Sequence, residues 1–398
     1  MATVNPLTDE QTPTAEEMIA RAEALKPALR ARAEDTASGR RVPVETVDDY
    51  RKSGLIRLPQ PARFGGYEMG WDVLCQVAQV LASADGAQAW IQAIMADHAV
   101  LLGTFPEQAQ VDVWGDEVKA VLSASLDPQG KAERVAGGYR FSGRFGFSSG
   151  VDHADWVICG GFIVDGESRD GPHFFLLPRS DIEIIDDWHT IGLEGTGSKS
   201  FEVAETFVPD HRVLDGPRAR AGAAPGAEIN EGAVYRLPRG GLTPTIFSAM
   251  VVGMAQGLQE EWLKYTAQRL SRGVSVAGDP ASHIVAGQAS AAIASAEALY
   301  LSTIRDAMRR LEAGETLSAS YILDAKRNAA FAARTALEAS TLLINTAGGR
   351  AIYQSNILQR KYRDVMAGAS HFSIAWESNA MACGRDLIAR ADASADGA

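Results

Sequence analysis

The chain has 398 residues, with 38 Lys+Arg against 50 Asp+Glu, a formal net charge of −12 at pH 7, 46% hydrophobic and 22% charged residues. That balance excludes a nucleic-acid binder, which needs clustered Lys/Arg, and it is the composition of a globular enzyme rather than a disordered chain. Scattered Cys75, Cys159 and Cys383 exclude a disulfide framework and suit a reducing compartment; the acidic start MATVNPLTDEQTPTAEEM reads as neither signal nor transit peptide, no apolar run approaches the roughly 18 to 20 residues of a bilayer span, and a cytoplasmic location without membrane partners is expected.

Residues 1–119 are Ala-rich, with helical periodicity punctuated at Pro43, Pro59, Pro61 and Gly65-Gly66, so this stretch reads as an N-terminal helical domain. In the helix over 87–102, Trp90, Ile94, His98 and Leu101 recur at helical spacing, which puts His98 on an inward face where a polar group needs a partner. Residues 120–214 change to short β-type runs such as VLSASL, DWVICGGFIV, HFFLLP and SFEVAETFVP, and predict an antiparallel β-domain, barrel or sandwich. Residues 215–243 carry no apolar period and are expected to be a surface loop or linker, on which Arg236 or Arg239 could grip an acidic substrate or the flavin, with solvated arginines the expectation. Residues 244–398 predict a four-helix bundle, with helices over 246–271, 282–313, 318–346 and 354–389 and a frayed tail.

Several motifs fail on context. Gly195-Thr-Gly197-Ser-Lys-Ser200 lacks the third glycine of a dinucleotide fingerprint and the spacing of a P-loop, and it falls between strands, so it reads as a turn. No His-Glu-x-x-His, Cys/His cluster, EF-hand spacing or Gly-x-Ser-x-Gly elbow occurs, so no metal is expected and a serine hydrolase is disfavoured.

The runs GGYRFSGRFGFSSGVDHADWVICGG and DDWHTIGLEGTGSKSFEVAETFVPDHR are joined by Pro61 to Gly66, Gly348-Gly349, Leu358-Gln-Arg360, Arg363-Asp364 and His371. Together they resemble the acyl-CoA dehydrogenase superfamily, and within it the oxygenase components of two-component flavin-dependent monooxygenases of the 4-hydroxyphenylacetate hydroxylase-like group. The resemblance implies a mainly α protein with an acyl-CoA dehydrogenase-like fold, comprising an N-terminal α-domain, a central β-barrel and a C-terminal four-helix bundle that assembles as a homotetramer. It implies reduced FMN or FAD delivered by a separate NAD(P)H:flavin reductase, O2 as co-substrate, a C4a-hydroperoxyflavin, and hydroxylation of a small, aromatic or phenolic molecule.

By that resemblance Ser148, or else Ser149, reaches flavin N5. Ser123 or Ser125 and His98 hold the substrate hydroxyl, Arg269 reaches a partner's flavin, Gly348 and Gly349 form a close-approach turn, and Trp188 packs a strand or walls the flavin. A thioester dehydrogenase carries a glutamate shortly after the Arg-Asp pair; here no carboxylate occurs until Glu377, and His371 occupies the neighbourhood. His371 is therefore expected to act on the substrate hydroxyl or the peroxide. Full transfer from a phenol of pKa near 10 to an imidazole near 6.5 is uphill by roughly 5 kcal/mol, and partial transfer costs less. Two alternatives remain: a dehydrogenase with Glu377 as base, and the same oxygenase chemistry on an amine or sulfur atom.

Overall fold

A computed structural model describes residues 12–395; the start of the N-terminal segment and the last three residues of the expected frayed tail lie outside the described residues. The chain opens with α1 (Ala15–Ser38), whose Thr14 and Glu17 form a reciprocal capping box. It continues through α2 (Val44–Ser53), α3 (Trp71–Ala84), α4 (Gly86–Gly103) and α5 (Glu107–Trp114). Asp85 caps α4 by accepting the Gln88 N–H, and all of Gly86–Gly103 is buried. A helix buried on every face is a core helix, and α4 packs against α3, the sheet and the bundle.

The strands are β1 (Leu122–Val135), β2 (Gly138–Phe145), β3 (Trp156–Asp165), β4 (Ser168–Pro178), β5 (Glu183–Ile185), β6 (Ser200–Pro209) and β7 (Val213–Asp215). Among the described residues they form one sheet in the order β5-β6-β2-β1-β3-β4-β7. The expected barrel is therefore corrected: β5 and β7 lie at opposite edges and the sheet stays open. Nor is it wholly antiparallel, because β1 pairs with β3 in parallel, Ser123 opposite Val157 and Ser125 opposite Cys159. Two-residue alternation sorts the sheet into two cores. Leu122, Ala124, Ile158 and Leu176 pack against the helical side with Trp114. Phe141, Phe145, Phe175 and Phe201 fill the other face, with Phe141 and Phe175 stacked at 4.4 Å; each such buried ring contributes roughly 1.5–3 kcal/mol.

The 215–243 stretch differs from the expected surface loop. It folds into α6 (Gly216–Arg220), two 3-10 turns and α7 (Arg239–Leu242). It also buries Val234, Tyr235, Leu237 and Leu242, and the Tyr235 hydroxyl donates to Pro59 O at 2.6 Å. A few large apolar residues anchor it where no periodicity announces them.

The bundle comprises α8 (Pro244–Gln268), a small hairpin of β8 (Leu270–Ser271) and β9 (Val274–Ser275), α9 (Pro280–Glu312), α10 (Ala319–Thr346), α11 (Ile357–Ala369) and α12 (Trp376–Ala395). The fourth expected helix is thus two, broken at Ser370–Ala375. No Gly or Pro marks the break. Local side-chain bonds hold it instead: Ser370 donates to Met366 O, and Asn379 donates to Ser373 O and Ala375 O. By length and composition alone Arg239–Gln268 and Pro280–Glu312 reach the size of a membrane-crossing helix, and the first is a core element with 89% of its apolar window buried.

Candidate active site

Helix α4 gathers the site. Its Trp90 ring lies 6.0 Å from the His371 ring and 5.4 Å from Phe247, and Phe247 stacks on His371 at 3.7 Å. One turn on, a Cβ at Gly150 would stand 3.3 Å from Ile91 and Met95, so the Phe147–Gly150 turn rests against the same helix. Two turns beyond Trp90, the His98 Nδ1 lies 3.1 Å from Leu122 O, beside Ser123. The bundle, the serine turn and the start of β1 therefore meet along one buried helix.

The serines form connected hydroxyl chains. Ser148 Oγ and Ser123 Oγ are 2.6 Å apart, and Ser123 donates to Ser149 O at 2.8 Å. Ser149 Oγ bonds Ser198 Oγ at 2.7 Å, Ser198 bonds Thr196 Oγ1 at 2.8 Å, and Thr196 donates to Leu193 O at 2.9 Å. Ser125 does not join this set; it donates to Gly146 O at 2.7 Å, at the start of the serine turn. Backbone bonds from Ser148 N to Lys199 O and from Gly150 N to Thr196 O fasten the serine turn to the Thr196–Lys199 segment. In sequence Thr196 and Ser198 belong to the Gly-Thr-Gly-Ser turn pattern, which is the signal that marks them.

Both histidines are neutral, with opposite tautomers. Burial lowers the His98 pKa, and because Leu122 O can only accept, Nδ1 carries the proton and Nε2 is an acceptor. Burial also pushes His371 down to about 4. Its Nδ1 lies 2.8 Å from the Ser373 hydroxyl, which can donate or accept, and 3.3 Å from the Ser373 backbone N–H, which can only donate; with Nδ1 accepting, the proton resides on Nε2, a donor. With a pKa near 4, full proton transfer from a phenol to this imidazole is uphill by roughly 8 kcal/mol, so partial transfer or hydrogen bonding is the role open to His371.

Arg239 is not solvated as expected. It is 8% exposed and bonds Asp97 Oδ1 at 2.5 Å, with its guanidinium 5.8 Å from the Trp71 ring. Its buried Nη1 has no partner among the described residues. Arg236 instead donates to Glu231 O and Leu311 O, both at 3.3 Å. Arg269 donates to Thr346 O at 2.8 Å, and its guanidinium lies where a Gly348 Cβ would come within 3.3 Å. Close approach thus requires glycine at Gly348, whose φ is +78°, whereas a Cβ at Gly349 meets nothing. Trp188 stands edge-on to Phe147 at 5.8 Å and donates to Leu193 O. Glu377 is exposed on the first turn of α12 and does not share the site's burial.

Helix α11 fastens the loop behind the serines. Asp364 accepts the Leu193 N–H at 2.7 Å, and Arg363 bonds Ile191 O and Glu194 at 2.5 and 2.9 Å. Burial, with Asp85 nearby, raises Asp364 to about 7. Lys361 faces Asp85 and Asp364 across a cleft and donates to Ser83 O and Ala84 O at the end of α3.

These residues suit a flavin. Phe147, next to Ser148, and Phe372, against the His371 ring, are exposed apolar residues beside the site's polar groups, the pairing of apolar surface with a polar edge that a planar heteroaromatic ring needs, and the Arg239 Nη1, without a partner among the described residues, can serve an anionic group.

Comparison with known proteins agrees with this class. Residues 245–376 match the family of the acyl-CoA dehydrogenase C-terminal domain. The chain is 36% identical over 355 residues to the flavin-dependent monooxygenase oxygenase subunit HsaA of Rhodococcus jostii (strain RHA1), covering 88% of this chain and 93% of that protein. It is 30% identical over 384 residues to the FADH2-dependent resorcinol hydroxylase oxygenase component of Rhizobium sp. (strain MTP-10005), covering 93% and 94%. The crystal structure of 3-HSA hydroxylase from Rhodococcus sp. RHA1 superposes with a TM-score of 0.90 at 33% identity, covering 94% and 97%. The fold is acyl-CoA dehydrogenase-like. The chain belongs to the oxygenase components of two-component flavin-dependent monooxygenases, enzymes that use reduced flavin and O2 and rely on a separate flavin reductase.

Proposed function

We propose that this oxygenase component hydroxylates a small phenol, and that His98 and His371 grip opposite ends of the reaction. The observation that carries the reading is their opposed tautomers: His98 Nε2 accepts while His371 Nε2–H donates. A phenolic O–H gives its hydrogen bond to His98, which raises electron density on the ring; His371 donates to the oxygen being transferred or left behind. The relatives named for resorcinol and p-hydroxyphenylacetate act on phenols by name, which supports this substrate class.

Reduced FMN or FAD supplies the activated oxygen when bound, with Ser148 or Ser149 at its edge. The chain's own contribution is to exclude water, through Trp90, Phe247 and the buried α4 face, and to fix the ring and substrate relative to each other. Arg269 against Gly348, with the exposed apolar residues Ile284, Phe331, Met381 and Ile388 on the bundle helices, supports assembly as a homotetramer, with Arg269 serving a neighbouring flavin site. A cytoplasmic location accords with three free, buried thiols.

The test couples the protein to a generic flavin reductase with FMN or FAD and a panel of phenols, aryl amines and thioethers, following product mass. Gain of one oxygen on phenols is expected. Oxygenation confined to amines or sulfur, or reduction of bound flavin by an acyl-CoA, overturns the proposal.

A further inference from the structure

Counting protons along the hydroxyl chains gives the site a direction. A seryl or threonyl hydroxyl has one proton to donate and lone pairs to accept with. Ser123 Oγ lies 2.8 Å from Ser149 O, which can only accept, so its proton is committed there. The 2.6 Å contact between Ser123 and Ser148 must then use the Ser148 proton.

The second chain is committed in the same way. Thr196 gives its proton to Leu193 O, Ser198 gives its own to Thr196, and Ser149 gives its own to Ser198. Reversing any link would set two lone pairs against each other at under 3 Å. Leu193 O can only accept, and it also receives Thr196 N at 3.1 Å and Trp188 Nε1 at 3.3 Å. All five residues are buried, Ser149 the least so at 9% exposure.

We propose that these two hydroxyl chains make the serine edge a reader of flavin redox state: with their protons turned inward, Ser148 and Ser149 offer only lone pairs to the ring. Reduced flavin carries a hydrogen on N5 and is accepted. Oxidised flavin presents a bare N5 lone pair and meets an acceptor. Thr196, Ser198 and Ser123 are then positioning residues that act through the serine at the ring. The inference rests on the reading that Ser148 or Ser149 faces flavin N5, and it adds a reason why the site prefers the form delivered by a reductase.

The experiment measures equilibrium binding of oxidised and of anaerobically reduced FMN and FAD to the full chain by fluorescence and calorimetry, with no turnover. Variants are Thr196→Val, Ser198→Ala and Ser123→Ala, with circular dichroism and melting as checks of folding. The wild type should prefer reduced flavin. Freeing a proton should lower the ratio of oxidised to reduced Kd by roughly ten-fold in the chain that ends at the ring, since the serine can then turn its donor outward. Thr196→Ser, which restores the hydroxyl, should restore the ratio.

Equal wild-type affinity for the two redox forms overturns the inference, as does an unchanged ratio in all three variants. Absence of binding by either form instead overturns the flavin reading of this edge, which separates the two failures.

Discussion

The Asp364 carboxylate of α11 accepts the Leu193 backbone N–H at 2.7 Å, and Leu193 O in turn receives the Thr196 hydroxyl. One residue of the loop thus joins the bundle to the serine edge.

This contact predicts a pH dependence of stability. The folded pKa of Asp364, raised to about 7 by burial, lies above an unfolded value near 3.9. Its protonation favours the folded state, so its contribution is full below about pH 4 and is lost as pH rises through about 7. Urea unfolding of the wild type and Asp364→Asn across pH 4–8 should give a stability difference that moves against the wild type by about 2–4 kcal/mol with rising pH. A pH-independent difference would contradict the assignment.

His371 contributes with the opposite sign. Its folded pKa of about 4 lies below the unfolded value near 6.5, so the neutral ring stabilises the fold above pH 6.5 and this is lost as pH falls through about 4. The loss amounts to at most about 3 kcal/mol, and His371→Asn should abolish it.

The donor role of His371 is tested by yield. His371→Ala should lower product formation roughly 10²-fold, the usual loss for one removed donor, with flavin reoxidation turned to H2O2. His371→Asn, which keeps an N–H, should recover part of it. Equal defects in the two variants would argue against donation.

For His98 the acceptor role makes the defect depend on the substrate. His98→Ala should slow hydroxylation of ordinary phenols roughly 10²- to 10⁴-fold, and much less that of acidic phenols already ionised at the assay pH. The slope of log rate against phenol pKa measures this; an unchanged slope rejects it.

The Asp97–Arg239 pair lies in the core at 5% and 8% side-chain exposure. Asp97→Ala leaves the arginine charge buried and should cost about 3–5 kcal/mol. Asp97→Ala with Arg239→Met should cost less than the sum of the single changes in urea titrations, which would fail if either residue were solvated.

Much of the architecture is legible from periodicity: the helical start, the strands between 120 and 214, and the long bundle helices follow apolar spacing. The open sheet is not, because closure depends on which strands pair at the edges, and β5 and β7 are three-residue strands that carry no pattern. The split of α11 from α12 is hidden for a related reason. Ser370, His371 and Ser373 break the helix with side-chain bonds rather than with Gly or Pro.

In the site, His98 is recognisable as a polar residue on an apolar face, and Ser148, Ser149 and His371 by family resemblance. The proton direction of each depends on contacts remote in sequence, such as Ser149 with Ser198 and His98 with Leu122. Arg239 looked solvated because its partner Asp97 lies 142 positions away.

Helix α4 has no solvent face anywhere along its length. For anyone seeking to broaden the substrate range, this makes it a poor place to begin: each side chain that borders the reaction also supports the interior, so enlarging the pocket there trades directly against melting temperature. The segment from Gly216 to Leu242 offers the opposite bargain. It alternates buried anchors such as Tyr235 and Leu237 with exposed positions such as Arg218, Ala221 and Glu228, so substitutions at the exposed positions leave the interior intact.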